Sequence, residues 1–283
     1  MSAQELEAES VDDRPAERAF RSTPTQFLRR HSTWLVTIVN LTVFFIAWQF
    51  FARAEIVSPL FLPAPTDIFH ALRHGFADGT LPSEIGWSAE HFAIGMALAA
   101  VVGVPLGLLM GSNRVVDAIL SPYVWSMASL PRVAIMPLLI LILGFSEKAE
   151  LTLIFLSAVF PIMINCMAGP RTVEPSLLRA GRVFGANRLQ LFWKIIFPFT
   201  LPFIISGINQ GMTRGLVGMV IAEIFGGNRG LGYLTQRAGE TFDAPLLYGV
   251  LLILVVFSLS FVQGIRWLEA KVAPWRNQAA SSN

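Results

Sequence analysis

The chain has 283 residues, 54% of them hydrophobic and only 14% charged, and its mean hydropathy of +0.58 is too apolar for an ordinary water-soluble domain. Its formal net charge is +2, and Lys and Arg are scattered rather than gathered into a stripe, which argues against nucleic-acid binding. The single cysteine, Cys166, lies in an apolar run and excludes a disulfide framework or a Cys-rich metal site within one chain.

Residues 1–33 are polar and of mixed charge, from Glu5 and Asp12 to Arg29 and Arg30. They differ from the short basic start of a cleaved signal peptide, so the first apolar run is expected to stay attached. A helix needs about 20 mostly apolar residues to cross the hydrocarbon, because backbone amides in lipid must bond within their own segment. Six segments meet this requirement: Trp34 to Phe51, Ser88 to Met110, Ile119 to Leu143, Ala149 to Ala168, Phe199 to Ile224 and Leu246 to Ile265. The predicted fold is therefore an all-α polytopic membrane helical bundle of about six spans over 34–268, followed by a short tail over 269–283.

Between the first two spans, His70 and His74 share a helix face in a stretch read as a short amphipathic surface helix from Thr66 to Gly79. They form a metal pair without further convergent ligands, so no metal site is expected. The third span is the least regular, since Pro131 and Pro137 remove backbone donors and Arg132 lies between them. Such breaks survive where protein or a water-filled cavity takes up the freed groups, so this span is expected to face the protein interior.

Two spans carry glycine at spacing four: Gly103, Gly107 and Gly111 in the second, and Gly207, Gly211 and Gly215 in the fifth. Each trio stays within about 80° of one helix face, which lets another backbone approach closely. After the fifth span, Gly226-Gly227-Asn228-Arg229-Gly230-Leu231-Gly232 has no lysine and reads as a turn-rich loop rather than a phosphate cradle. Arg132, Arg214 and Glu223 would be expensive facing lipid and are the candidates for a solute path or for interior packing. Arg214 and Glu223 are nine residues apart, about 180° around a helix, and cannot pair on one face.

Of the 21 Lys and Arg, Arg132 and Arg214 fall within spans. With the N-terminus inside, only Arg53, Arg73, Lys148, Arg229 and Arg237 lie on the outer side, leaving fourteen inside, among them Arg14, Arg18, Arg21, Arg114, Arg171, Arg266, Lys271 and Arg276. That bias predicts both termini in the cytoplasm.

The inner connection over about 170–197 is unusually long and amphipathic, with Leu177, Leu178, Val183, Phe184, Leu189, Leu191, Phe192 and Ile195 at roughly helical spacing. It reads as two short helices bent at Gly185, with Pro198 suited to the first turn of the next span. An element of this kind lies on a lipid surface or docks into another protein.

Arg179-Ala180-Gly181, three residues, Gly185, nine residues, then Ile195-Ile196-Phe197-Pro198 resembles the Glu-Ala-Ala motif of ATP-binding-cassette importer permeases. That motif reads Glu-Ala-Ala, three residues, Gly, nine residues, Ile-x-Leu-Pro. Ala180, Gly185, Ile195 and Pro198 match, whereas Arg179, Gly181 and Phe197 depart from it. Leu62-Pro63-Ala64-Pro65, Gly103-Val104-Pro105-Leu106-Gly107, Leu130-Pro131-Arg132 with Pro137-Leu138, and Ala222-Glu223 followed by Gly230-Leu231-Gly232-Tyr233 resemble the nitrate, sulfonate and taurine branch.

The resemblance implies a permease subunit in a bacterial inner membrane, carrying a small solute of sulfonate, taurine or nitrate type. It implies a second permease chain, as a homodimer, and an extracytoplasmic solute-binding protein that delivers cargo. Separate cytoplasmic ATPase subunits would hold ATP and Mg and grip a segment including Arg179, Ala180, Gly181, Gly185, Ala186, Ile195 and Pro198. This chain is expected to bind no cofactor and to catalyse nothing, and no Gly-x-x-x-x-Gly-Lys-Ser/Thr cradle occurs in it. An ion-gradient-driven secondary transporter is the alternative, although no repeat between the halves supports it. A membrane enzyme is the other class, but paired catalytic carboxylates, a His-rich ligand set and a nucleophile motif are all missing from the sequence.

Overall fold

A computed structural model of the chain describes residues 24–54 and 56–272, so the outermost parts of the two predicted tails, with Arg14, Arg18, Arg21 and Arg276, lie outside the described residues. Every described element is helical. The first, α1 (Pro24–Arg53), starts within the predicted tail and is apolar enough to cross a bilayer from Leu35 to Arg53.

From Phe51 onward a second unit follows. α2 (Pro65–Ala77) is the predicted surface helix, opened by Pro65 in its first turn, where a missing donor costs nothing. His74 pairs with Asp78 at 3.2 Å, and Asp78 also accepts the Thr80 backbone N–H at 2.9 Å. That backbone hydrogen bond is the largest influence holding the Asp78 carboxyl below its ordinary range. Among the described residues no group of three His, Cys, Asp or Glu could hold a metal ion.

Three helices build the centre: α3 (Thr80–Ser112), α6 (Glu147–Arg171) and α9 (Phe197–Phe225). α6 lies between the other two, with Leu153, Ile154, Ala158 and Ile162 all fully or almost fully buried. The first glycine trio and Gly207 and Gly211 of the second face it, whereas Gly215 packs first against α3. A Cβ on Gly103 would lie 2.9 Å from Ile162 Cγ2, one on Gly107 2.5 Å from the Met163 carbonyl, and Gly111 meets Met167 and Pro170. From the opposite side, a Cβ on Gly211 would lie 2.7 Å from Ile162 Cγ1, with Gly207 against Asn165 and Gly215 against Met96 and Phe92. Gly95 against Ile154 and Gly218 against Ser157 extend the two seams beyond the trios. Close backbone approach gives van der Waals packing that apolar surface alone cannot drive between helices in lipid.

The third predicted span is not one helix. α4 (Arg114–Ser129) and α5 (Arg132–Leu143) meet at a 100° bend over Leu130-Pro131. Pro131 forces Leu130 into an extended conformation (ψ 133°), which stops α4. The segment is also mostly exposed in the single chain, with only Val124, Met136 and Leu139 buried, where it was expected to face the protein interior. Arg132 supplies the reason the break is tolerated. Its guanidinium donates to the carbonyls of Met127 (2.8 Å), Leu130 (3.0 Å) and Ala128 (3.3 Å), capping the C-terminus of α4 with a positive charge.

α7 (Pro175–Val183), α8 (Arg188–Leu191) and a π-helical turn (Phe192–Ile196) lead into α9. Pro198 lies in the first turn of α9, as predicted, although helix runs on unbroken from Arg188 to Phe225. The π-turn, in which Phe197 N–H donates to the Phe192 carbonyl, absorbs the donor that Pro198 lacks. α10 (Leu231–Glu240) and α11 (Ala244–Val272) complete the unit.

Candidate coupling surface and solute path

At the end of the bundle where α6 finishes, Arg171 pairs with Asp117 of α4 at 2.6 Å, and the chain then leaves through α7. Gly185 follows that helix with φ +79°, its N–H donating to the Arg182 carbonyl at 2.9 Å while Ala186 N–H donates to Gly181 at 3.0 Å. This is the six-to-one and five-to-two pattern of a Schellman stop, which needs a left-handed residue at this position. The next helix starts at once. Asn187 accepts Gln190 N–H at 2.8 Å, and the Gln190 side chain accepts Asn187 N–H at 2.9 Å, a reciprocal capping box.

Gly181, where the family motif has alanine, touches Leu191 and Ile195, so the two arms of the bend close on each other. Two consecutive large apolar side chains stand out at the bend, Val183 at 85% exposure and Phe184 at 89%. Leu189 and Trp193 are also exposed, and so are Arg179, Arg182, Arg188 and Lys194 of the same segment. An apolar centre with an Arg-rich rim is the composition of a protein interface rather than of a solvated loop.

A second surface lies along α9. Asn209, Gln210, Thr213, Arg214 and Val217 line a cavity of about 500 Å³ with Val262 of α11. Gln210 donates to Asn165 of α6 at 3.3 Å, and Asn165 donates to the Pro161 carbonyl at 2.8 Å. Arg214 is exposed here, beside the polar side chains of Asn209, Gln210 and Thr213. One guanidinium, two side-chain amides and a hydroxyl, with no carboxylate in the lining, suit an oxyanion. The sequence reading named the two arginines but missed Asn165, Asn209, Gln210 and Thr213. Gln210, Thr213 and Arg214, at spacing three and four on one face, were the available signal.

Glu223 stands apart from that cavity. It is 1% exposed, accepts Ser88 Oγ–H and the Gly232 backbone N–H, both at 2.7 Å, and Ser88 Oγ in turn accepts Leu231 N–H at 2.9 Å. Its carboxylate thus fastens the N-terminus of α10 to α3, a favourable place for negative charge. Beside it Glu84 accepts Gly230 N–H, and Arg229 donates to Ser83 Oγ at 2.7 Å. The loop over Gly226 to Gly230 is held down by these bonds and turns at Gly230, with φ +99°.

A polytopic helical bundle with a polar cavity along one span and an interface-like handle at one end is the architecture of a membrane transport subunit. Residues 103–274 match the family described as the binding-protein-dependent transport system inner membrane component, and the chain belongs to that family. It is 29% identical over 248 residues to the taurine transport system permease protein TauC of Escherichia coli, spanning 86% of this chain and 90% of that protein. It is 30% identical over 249 residues to the putative aliphatic sulfonates transport permease protein SsuC of Bacillus subtilis, spanning 88% and 90%. Its fold is similar to a chain of the inward-facing MetNI methionine ABC transporter, with a TM-score of 0.56 at 19% identity over 67% of this chain and 92% of that one. The protein is a multi-pass importer permease, and the ion-gradient-driven alternative is set aside.

Proposed function

We propose that this chain pairs with a second copy of itself to form the channel of an importer for a small oxyanion of the sulfonate type. An extracytoplasmic binding protein delivers the solute, and cytoplasmic ATPase subunits, which bind ATP and Mg, grip the bend around Gly185. Both termini lie in the cytoplasm, on the side of that bend. The permease itself hydrolyses nothing.

The observation that carries this reading is the exposed Val183-Phe184 pair on a bend fixed by Gly185 and rimmed with arginine. Arg179, Ala180, Gly181, Ala186, Ile195 and Pro198 shape or flank that handle. Arg132 and Arg214 supply positive charge along the solute path, and the relatives named for taurine and for aliphatic sulfonates support a cargo that carries a sulfonate group. The exposed, bent α4–α5 segment offers a face for the second copy, where its freed backbone groups meet protein rather than lipid.

A single cysteine placed at Phe184 in a Cys166→Ser background tests the arrangement. Membrane-impermeant thiol reagents should label it only from the cytoplasmic side, and added ATPase subunit should protect it. Labelling from the outer face, or no protection by the ATPase, would overturn the proposal.

A further inference from the structure

The short helix α2 presents three different faces. At 100° per residue, Ile68, Leu72 and Gly75 share the first, which packs on the bundle. A Cβ on Gly249 of α11 would lie 3.0 Å from Leu72 and 3.8 Å from Ile68, and one on Gly75 2.8 Å from Leu81 of α3. His70 and His74 share the second face, where His74 pairs with Asp78 and lines a cavity of about 460 Å³ with Arg237, Thr241 and Asp243. Phe69, Arg73 and Phe76 share the third. Both phenylalanines stand out there, at 64% and 49% exposure, and the chain leading into α2 adds Ile56, Leu60 and Phe61, each more than half exposed.

The depth of α2 says what covers this apolar face. α11 is apolar over the 21 residues from Ala244 to Gly264, a helix about 31 Å long that matches the thickness of bilayer hydrocarbon, about 30 Å. Gly249, against which α2 packs, is the fifth residue after Ala244 and lies about 7.5 Å inside the edge of that run. Amphipathic helices that rest between headgroups and acyl chains sit at this depth, about 5–10 Å. Polar contacts hold the segment at the same level. Tyr248 O–H donates to the Phe61 carbonyl at 2.9 Å, giving that backbone group a partner where water is scarce, and tyrosine favours the membrane–water boundary. Arg53, where the first apolar run ends, donates to Thr66 Oγ1 at 3.0 Å and to Asp67 at 2.8 Å in the first turn of α2.

We propose that α2 is an interfacial helix seated in the phospholipid leaflet at the end of the bundle opposite the Gly185 bend. Phe61, Phe69 and Phe76 enter the acyl region, Arg73 meets lipid phosphate, and His70 and His74 face water. The assignment rests on α11 crossing the bilayer and on neither the solute nor the ATPase.

The test places a nitroxide side chain at single cysteines, Phe61→Cys, Phe69→Cys, His70→Cys, His74→Cys and Phe76→Cys, in a Cys166→Ser background. All five side chains are exposed, so the fold carries the label at each. The full chain is reconstituted in liposomes of phosphatidylethanolamine and phosphatidylglycerol. Collision rates are then read by electron paramagnetic resonance with oxygen, which concentrates in lipid, and with a water-soluble nickel chelate. Labels at Phe61, Phe69 and Phe76 should favour oxygen and labels at His70 and His74 nickel, the ratio reversing between the two groups. Arg73→Glu, which turns attraction to phosphate into repulsion, should move the Phe69 label toward the nickel-accessible values. Nickel access at Phe69 and Phe76 equal to that at His74 would put this face in water and overturn the proposal. Low access to both reagents there would mean that protein covers it, a second copy or another chain, and would overturn it as well. An unmoved Phe69 label in Arg73→Glu would overturn the phosphate contact.

Discussion

Replacing Gly185 by valine places a β-branched side chain at φ +79°, where L-residues are disfavoured. A Cβ there meets nothing within 4 Å, so the penalty is backbone strain and not collision. That strain amounts to about 1–2 kcal/mol for an ordinary residue and lies toward the upper end for valine. It can be relieved only by opening the two hydrogen bonds at Gly181 and Arg182 that stop α7. If the bend must be formed for the ATPase to dock, a loss of this size lowers apparent affinity about ten- to thirtyfold.

The central helices do not pass through Gly185, so insertion and thermal stability of the bundle should be unchanged. Copurification of the ATPase, quantified against its concentration, should rank glycine first, asparagine close behind because it tolerates the left-handed region, then alanine, then valine. Equal copurification across the series would refute the claim that this conformation presents the handle. If asparagine behaved as badly as valine, the requirement would be for an absent side chain rather than for a backbone angle.

Other changes probe the remaining parts. Gly107→Ala drives a Cβ into the Met163 carbonyl at 2.5 Å and should destabilise the α3–α6 seam by about 1–3 kcal/mol, read as a lower melting temperature in detergent. Gly86→Ala on the same helix meets nothing and should be neutral or slightly stabilising. Glu223→Ala leaves Ser88 and the Gly232 amide unpaired and should cost about 2–3 kcal/mol, with faster hydrogen exchange in α10 while Glu223→Gln exchanges more slowly. Arg214→Gln should reduce uptake of a sulfonate with no loss of assembly or of ATPase copurification, and Arg214→Lys should retain part of it. Normal uptake kinetics in Arg214→Gln would return that arginine to a packing role.

Much of this molecule was written in local chemistry. Apolar runs of span length, the glycine spacing and the Gly185 bend each depend on residues near one another in the chain, and the helices appear where those patterns lie. The motif around Arg179 to Pro198 was likewise legible, although the merging of its second helix into α9 was not. A proline reads as a helix start, and only the π-turn ahead of it shows how the helix continues through.

What the sequence could not show is which surfaces meet. Both glycine trios announced a close neighbour, yet that one helix, α6, serves both, with Ile162 touched from either side, follows from three-dimensional packing alone. Ser88 and Glu223 are separated by 135 residues, so no periodicity links them, and a glutamate read as a candidate for a solute path or for interior packing is found fastening α10. Arg132 capping a broken helix and the Arg229 guanidinium lying over the Trp87 ring belong to the same class. Side-chain periodicity and turn preference act over a few residues and fix the elements, whereas hydrogen bonds and cavities between elements exist only once close packing has chosen each helix's neighbours.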